Sequence, residues 1–296
     1  MVTKLTDRKA KPLIDNIISD MVLQTPFPLF SLIEIETINR CNSRCSFCPV
    51  NRHIDPRPLQ KMSEELFCSI LEQLADINYR GAVSLFSNNE PLLDNRICEF
   101  ARIARKLIPH AYHYLFTNGT LLTVENFSSL VQYLDKLVIN NYSDRLEMHA
   151  NIQEVYDYWQ ANKIAGKDVV FLIRKENDVM SSRGGKSPNR KNVSTLKSSC
   201  LLPFCQIVVR PDGKLSLCCN DALGANVLGD LKTQSLVKVW NSERYWKFRN
   251  SIRQGRAHVA TCTHCDAISE SILLAGHLRY FPHQVGKSYG LSFANI

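Results

Sequence analysis

The stretch CNSRCSFCP, residues 41–49, places Cys41, Cys45 and Cys48 in a CxxxCxxC spacing directly after the short apolar run LIEIE at 32–36. Three thiols are one fewer than a closed structural zinc site takes. No fourth Cys or His follows at zinc-like spacing, although His53 is near enough to be weighed. The spacing leaves three readings open: zinc, unligated thiols, or an iron–sulfur cluster. In a cluster, three thiolates leave one iron open to an outside molecule.

The chain has 296 residues, with 36 Lys and Arg against 28 Asp and Glu, a net charge of +8. Its length suits one large domain, or a large domain and a small one. No run of about 18 apolar residues is present, so no membrane span is expected. The opening MVTKLTDRKAKPLIDNI lacks the apolar core and cleavage site of a secretory signal. The expectation is a cytoplasmic chain with reduced thiols. The basic excess reads as a solvated surface, or as a face for an anionic substrate or an acidic electron carrier. The basic residues are scattered and no nucleic-acid-binding motif is found, so no nucleic-acid role is expected.

Of the eleven cysteines, Cys68 and Cys98 stand alone in helical patterns and read as core filler. The other nine cluster at 41–48 and 200–265, as metal sites predict and core filler does not. Between about 31 and 180 the runs LIEIE, AVSLFS (82–87), YHYLFT (112–117), KLVIN (136–140) and VVFLI (169–173) read as strands. Helical patterns starting at Ser63, Asp94 and Thr123 separate the first four. Strands recurring about every 30 residues with helices between predict parallel βα units, curled into a full or partial barrel. In such folds chemistry gathers at the C-terminal strand ends. Residues 181–199 are polar, basic and rich in Gly, Ser and Pro, and read as a loop or linker. QIVVRPDGKLSLCC (206–219) reads as a hairpin turning at PDG, and Ser235 opens helical patterns that run towards Gly255 and CTHC (262–265).

CNSRCSFCP resembles the signature of radical S-adenosylmethionine (SAM) enzymes, with an aromatic residue before the last cysteine. The resemblance implies that Cys41, Cys45 and Cys48 hold a 4Fe–4S cluster. SAM would chelate the open iron and be cleaved to a 5′-deoxyadenosyl radical that abstracts a substrate hydrogen. The resemblance extends along the strands. SLFSNNEPLLD (84–94) stands where the family has Gly-Gly-Glu-Pro, with Asn88 and Asn89 in place of the glycines and Glu90 retained. FTNGTLL (116–122) matches a third-strand Thr-Asn-Gly motif and offers Asn118. Phe47 would lie near the adenine, and Asn140 ends the fourth strand in VINNYSD. As turn residues, the asparagines and Gly119 are also explained without a cofactor.

The later cysteines, Cys200, Cys218, Cys262 and Cys265, resemble the Twitch module, the short form of the SPASM extension. They would hold an auxiliary 4Fe–4S cluster, a structural zinc site being the alternative. Cys205 and Cys219 do not fit the set; on an alternating strand Cys219 faces away from Cys218. The expected architecture is α/β, a partial (β/α)6 TIM-like barrel followed by a small α+β module. Its divisions are 1–30 N-terminal extension, 31–180 barrel, 181–199 linker, 200–268 module and 269–296 tail.

In layout the chain resembles a Twitch aminocyclitol dehydrogenase. That implies oxidation, or epimerisation, of a small sugar- or cyclitol-like substrate, with the auxiliary cluster taking an electron. Arg183 is the candidate for contacting substrate or SAM; the alternative is a solvated loop arginine. Lys186, Arg190 and Lys191 could hold a phosphate, although a charged linker is simpler. The alternatives are a peptide-modifying radical SAM enzyme and a zinc-stabilised binding protein without catalysis. Peptide-modifying relatives often carry a peptide-recognition domain for which the first 30 residues leave no room. The implied reductant is flavodoxin or ferredoxin.

Overall fold

Short apolar runs separated by amphipathic stretches become strands covered by helices. The computed structural model describes residues 6–162 and 167–268; the tail at 269–296 lies outside the described residues. Helix α1 (Asp7–Val22) precedes β1 (Leu32–Ile35). There follow α2 (Glu64–Asp76), β2 (Ala82–Ser84), α3 (Ile97–Leu107), β3 (Tyr112–Thr117), α4 (Val124–Tyr133), β4 (Lys136–Tyr142), α5 (Ala150–Asn162) and β5 (Asp168–Arg174). Strands β1 to β5 pair in order and in parallel, with Leu32 opposite Ala82, Ala82 opposite Tyr112, Tyr114 opposite Lys136 and Lys136 opposite Asp168.

The sheet continues past β1. After the short helix α6 (Leu202–Cys205) comes β6 (Gln206–Val209), then β7 (Lys214–Ser216) and β8 (Val227–Asp230). β6 pairs in parallel with β1, from Leu32 opposite Gln206 to Ile35 opposite Val209, and β7 and β8 follow antiparallel. The order is β5-β4-β3-β2-β1-β6-β7-β8. The partial barrel thus has five strands of its own, and its sixth parallel strand comes from the hairpin module. The bare edge of β1 would otherwise expose unpaired N–H and C=O groups, and β6 covers it. Helices α7 (Leu236–Trp240), α8 (Glu243–Gln254) and α9 (Ala260–Thr263) complete the module.

Alternation along each strand separates two faces. Ile33, Ile35, Val83, Leu115, Leu137, Ile139, Ile207 and Val209 pack with the helices in the main core. Leu32, Ala82 and Tyr114 form a second small cluster on the other face, where Glu34, Ser84 and Gln206 also stand by the same alternation. This face lines the barrel interior, and its polar content suits a site better than a core.

Local signals explain several helix starts. The Ser63 hydroxyl accepts the Leu66 N–H at 3.2 Å. Thr123 and Asn126 form a reciprocal capping box. Asp94 does not start its helix: Pro91–Leu93 makes one 3₁₀ turn and α3 begins at Ile97. The Asp94 carboxylate is taken instead by the Arg96 N–H at 3.2 Å and the Arg96 guanidinium at 2.8 Å. Residues 181–199 form no helix or strand, yet they are not a free linker. Ser182 donates its N–H to Asp266 Oδ1 and its hydroxyl to the His264 carbonyl, both at 2.7 Å, and Asn189 donates to Ser46 at 3.0 Å. They form a strap across both cysteine regions.

Helix α1 fastens the other end of that strap. It buries Ala10, Ile14, Ile17, Ile18 and Met21, while Asp7 accepts the Lys197 and Ser198 N–H groups at 2.7 and 3.0 Å. The extension is therefore part of the core. Ile14→Ala is expected to cost about 2–5 kcal/mol, read as a lower urea midpoint; an unchanged midpoint would show that α1 packs only marginally.

Candidate active site and cysteine clusters

The loops that follow β1 to β4 converge on one pocket of about 580 Å³ including its mouth. Its wall includes Cys41, Cys45, Cys48, Phe47, Asn88, Asn89, Glu90, Asn118, Asn140 and Arg183. Every barrel residue singled out from sequence thus meets in one place, together with Arg183 from the strap. Sequence reading missed Phe86, Ser87, Phe116, Thr117 and Tyr142, which also line it. The inward positions of β4, continuing the alternation from Asn140 to Tyr142, could have pointed to Tyr142.

Cys41, Cys45 and Cys48 lie close enough to act on one another electrostatically. Burial and neighbouring negative groups push the Cys41 and Cys45 thiols up to about 12. A thiol raised in this way would bind a metal only as the cation displaced its proton. Asn118 organises this loop: its Nδ2 donates to Asn42 Oδ1 and Ser43 Oγ, both at 2.8 Å, and approaches Cys41 Sγ at 3.8 Å. Gly119 follows with φ of +73°, and a Cβ there would stand 2.6 Å from Ile152 Cδ1. Only glycine accepts both conditions, which supports a structural role for this turn alongside any contact that Asn118 makes.

Glu90 is almost fully buried, at 1% exposure. Its carboxylate accepts the Thr117 hydroxyl and the Asn118 N–H, each at 2.7 Å, and the Leu92 N–H at 3.0 Å. It therefore ties the loop after β2 to the loop after β3. Burial nevertheless pushes this carboxyl up to about 7. A cationic amine in the pocket would favour its charged form. Asn88 Nδ2 donates to the Cys219 carbonyl at 2.9 Å, and its N–H donates to Glu36 Oε1 at 2.7 Å. Glu36 also faces the Arg210 and Arg57 guanidinium groups at 3.5 and 3.8 Å. One buried carboxylate thus joins the loops after β1 and β2 to the module.

Arg183 reaches the pocket from the strap, with Nη1 donating to Asn88 Oδ1 at 3.2 Å and to the Cys219 carbonyl at 3.5 Å. It has φ of +49° and is followed by Gly184 and Gly185 at +60° and +79°. A non-glycine residue in this region carries strain. The strap is pressed here against the module: Cβ atoms on Gly184 and Gly185 would lie 2.8 and 2.7 Å from Thr261 and His264. Arg190 is paired with Asp266, so it is not free to hold a phosphate.

The other thiols gather at the opposite end of the β1–β6 ladder. Cys200 precedes β6 and Cys218 follows β7, which runs back towards the start of β6. Cys200, Cys218, Cys262 and Cys265 are all buried and act on one another electrostatically. Among the described residues no group of three or more His, Cys, Asp or Glu is arranged to hold a single metal ion. A four-iron cluster asks for a different set, with each thiolate on its own iron around a cube; both cysteine sets bring mutually close thiols together.

Cys205 turns into α6, its thiol facing the Leu201 carbonyl at 3.3 Å. The strand alternation used for Cys219 does not apply, because β7 ends at Ser216. Cys219 lies in the following turn, where its N–H donates to Gln206 Oε1 at 3.2 Å and its thiol faces Glu34 and Arg183. It stands between the two cysteine regions.

Glu34 was not legible as a site residue. Gln206 Nε2 donates to its Oε1 at 2.9 Å, while its Oε2 has no hydrogen-bond partner among the described residues. It also meets Ser87, which lines the pocket, and feels Arg183. Burial raises the Glu34 carboxyl to about 7. Its contribution to stability is complete below the ordinary carboxylate range and is lost as the pH rises through about 7. For cofactor-free protein, Glu34→Gln is expected to flatten the fall in urea midpoint between about pH 5 and pH 8. An identical fall in both proteins would contradict this environment for Glu34.

Comparison with known proteins adds the family. The radical SAM superfamily model matches residues 35–178 and the SPASM iron–sulfur cluster-binding domain model matches residues 200–266. The S-adenosyl-L-methionine-dependent 2-deoxy-scyllo-inosamine dehydrogenase of Niallia circulans is 27% identical over 243 residues, covering 81% of this chain and 94% of that protein. The crystal structure of BtrN in complex with AdoMet and 2-DOIA aligns with a TM-score of 0.71 at 27% identity, over 82% of this chain and 95% of that one. SuiB of Streptococcus suis, bound to its precursor peptide SuiA, aligns with a TM-score of 0.52 at 12% identity, over 79% and 70%; this likeness concerns the fold alone. The chain belongs to the radical SAM superfamily and carries a SPASM iron–sulfur module after its barrel.

Proposed function

We propose that this radical SAM enzyme oxidises an alcohol carbon of a small cyclitol-like substrate to a ketone, and that the auxiliary cluster receives the second electron. The observation that carries the reading is the meeting of Asn88, Arg183 and the Cys219 carbonyl. It places the pocket wall in direct contact with the residue next to Cys218.

Cys41, Cys45 and Cys48 would hold the cluster that binds SAM, and Cys200, Cys218, Cys262 and Cys265 the auxiliary cluster. When bound, these groups supply one-electron cleavage of SAM to a 5′-deoxyadenosyl radical, abstraction of a substrate hydrogen atom, and an acceptor for the electron left behind. The chain supplies the rest. Asn118 and Glu90 hold the loops that shape the SAM site, and Phe47, Asn88, Asn89 and Asn140 complete its wall. Arg183 positions the substrate oxygen on the module side of the pocket. Glu34 stands buried behind Ser87 of the pocket wall and helps to fix that segment, and the alcohol proton passes to solvent. Loss of a hydrogen atom, a proton and an electron converts CH–OH to C=O.

A set of four thiolates leaves no iron open to substrate, which suits electron acceptance. A relative covering 81% of this chain is a dehydrogenase of 2-deoxy-scyllo-inosamine, and its chemistry has this balance. A peptide substrate draws no comparable support, since the peptide-bound SuiB structure is only 12% identical. The reductant is a flavodoxin or ferredoxin, a small acidic protein for which a chain of net charge +8 offers a complementary surface. Among the described residues no helix is long and apolar enough to cross a membrane. The reading places the enzyme in the cytoplasm, where thiols stay reduced.

Anaerobically reconstituted protein is expected to hold about eight irons, and the Cys41→Ala/Cys45→Ala/Cys48→Ala variant about four. With 2-deoxy-scyllo-inosamine or a related cyclitol, the wild type should form ketone and 5′-deoxyadenosine in equal amounts. Turnover of SAM without an oxidised product from any amino- or hydroxycyclitol would contradict the substrate class. Four irons in the wild type and none in the variant would contradict the auxiliary cluster.

A further inference from the structure

Arg256 follows the Gly255 cap of α8 and is 1% exposed. A buried guanidinium is costly unless it is paired or fully hydrogen-bonded. Arg256 forms no ion pair with a carboxylate among the described residues. Its partners are all backbone carbonyls: Ser198 at 2.9 Å, Ser199 at 3.2 Å, Cys265 at 3.4 Å and Ala267 at 2.9 Å. Two of these precede or carry proposed cluster ligands, Ser199 before Cys200 and Cys265 itself. Arg256 also acts electrostatically on the Cys262 and Cys265 thiols. The acidic group that feels it is Asp7, whose carboxylate already accepts the Lys197 and Ser198 N–H groups.

We infer that Arg256 is the resident counter-charge of the auxiliary cluster, a positioning residue that raises the cluster's reduction potential and so makes it a better electron acceptor. The inference rests on the proposed assignment of Cys200, Cys218, Cys262 and Cys265 as its ligands. Four thiolates give such a cluster a net negative charge, and reduction adds one more. A fixed cation buried beside the ligands stabilises the reduced form more than the oxidised form. Net charge and burial are among the protein's means of setting cluster potential. The four carbonyl contacts explain why Arg and not Lys stands here: the planar fork can satisfy several acceptors at once. They also hold the chain ends that carry Cys200 and Cys265.

The test is an EPR-monitored redox titration of full-length, reconstituted protein in the Cys41→Ala/Cys45→Ala/Cys48→Ala background, where the auxiliary cluster is observed alone. Arg256→Gln removes the charge and keeps polar contacts. Its cluster is expected to be about tenfold harder to reduce, about 59 mV more negative for a one-electron couple. Arg256→Lys keeps the charge, and its reduction equilibrium should stay within about threefold of the parent. R256Q with four irons and an unchanged potential would overturn the inference. So would loss of the cluster in both variants, which would mark a purely structural role. If R256Q alone loses iron, R256K decides: a parent-like potential supports the charge, and a tenfold fall contradicts it. A parent that holds no iron in this background would instead contradict the ligand assignment, and with it the proposed electron acceptor.

Discussion

The parallel pairing of β1 with β6 is the constraint on which the rest of the molecule depends. Leu32 to Ile35 lie opposite Gln206 to Val209, so strands about 170 residues apart in sequence share one ladder. The first cysteine loop leaves the C-terminal end of β1, and the later thiols gather at the start of β6. The ladder therefore sets the two cysteine regions at opposite ends of a common wall, with the polar barrel interior between them. A module joined only by a flexible linker would let this separation vary. The hydrogen-bonded register fixes it, and the strap and α1 close the junction from outside.

Within this frame, a few buried polar groups connect the parts. Glu36 joins the first two barrel loops to Arg210 of the module. Glu90 joins the loops after β2 and β3. Asn88, Arg183 and the Cys219 carbonyl form the contact between pocket and module. Such groups are expensive to bury and costly to break once formed, so they specify one arrangement of loops that are otherwise irregular. Arg183 carries its share in a left-handed backbone, strain that the surrounding glycines and α9 contacts hold in place.

Much of this was legible in the sequence because it is local. Cysteine spacing, strand alternation, the Ser63 and Thr123 caps and the turn at Gly213 depend on neighbours a few residues away. Asn88 and Glu90 could be placed because they follow β2, Asn118 because it follows β3, and Asn140 because it lies near the end of β4. The remainder depends on partners distant in the chain. Glu34 is held by a hydrogen bond from Gln206, 172 residues later, and Arg256 by carbonyls at 198, 199, 265 and 267. The edge of β1 gave no signal of which strand would cover it. Asp94 reads as a cap, but Arg96 competes for the same carboxylate. Cys219 was set aside by a strand argument, although the strand stops three residues earlier.

The most direct test of the account follows the electron that leaves the substrate. Protein loaded with both clusters and SAM would be mixed with 2-deoxy-scyllo-inosamine under single-turnover conditions, freeze-quenched, and read by EPR. The account predicts a reduced-cluster signal that grows in step with ketone and is absent from a Cys262→Ala/Cys265→Ala variant that still forms 5′-deoxyadenosine. Ketone formed at the wild-type rate by that variant, or with no cluster reduction in the wild type, would contradict it.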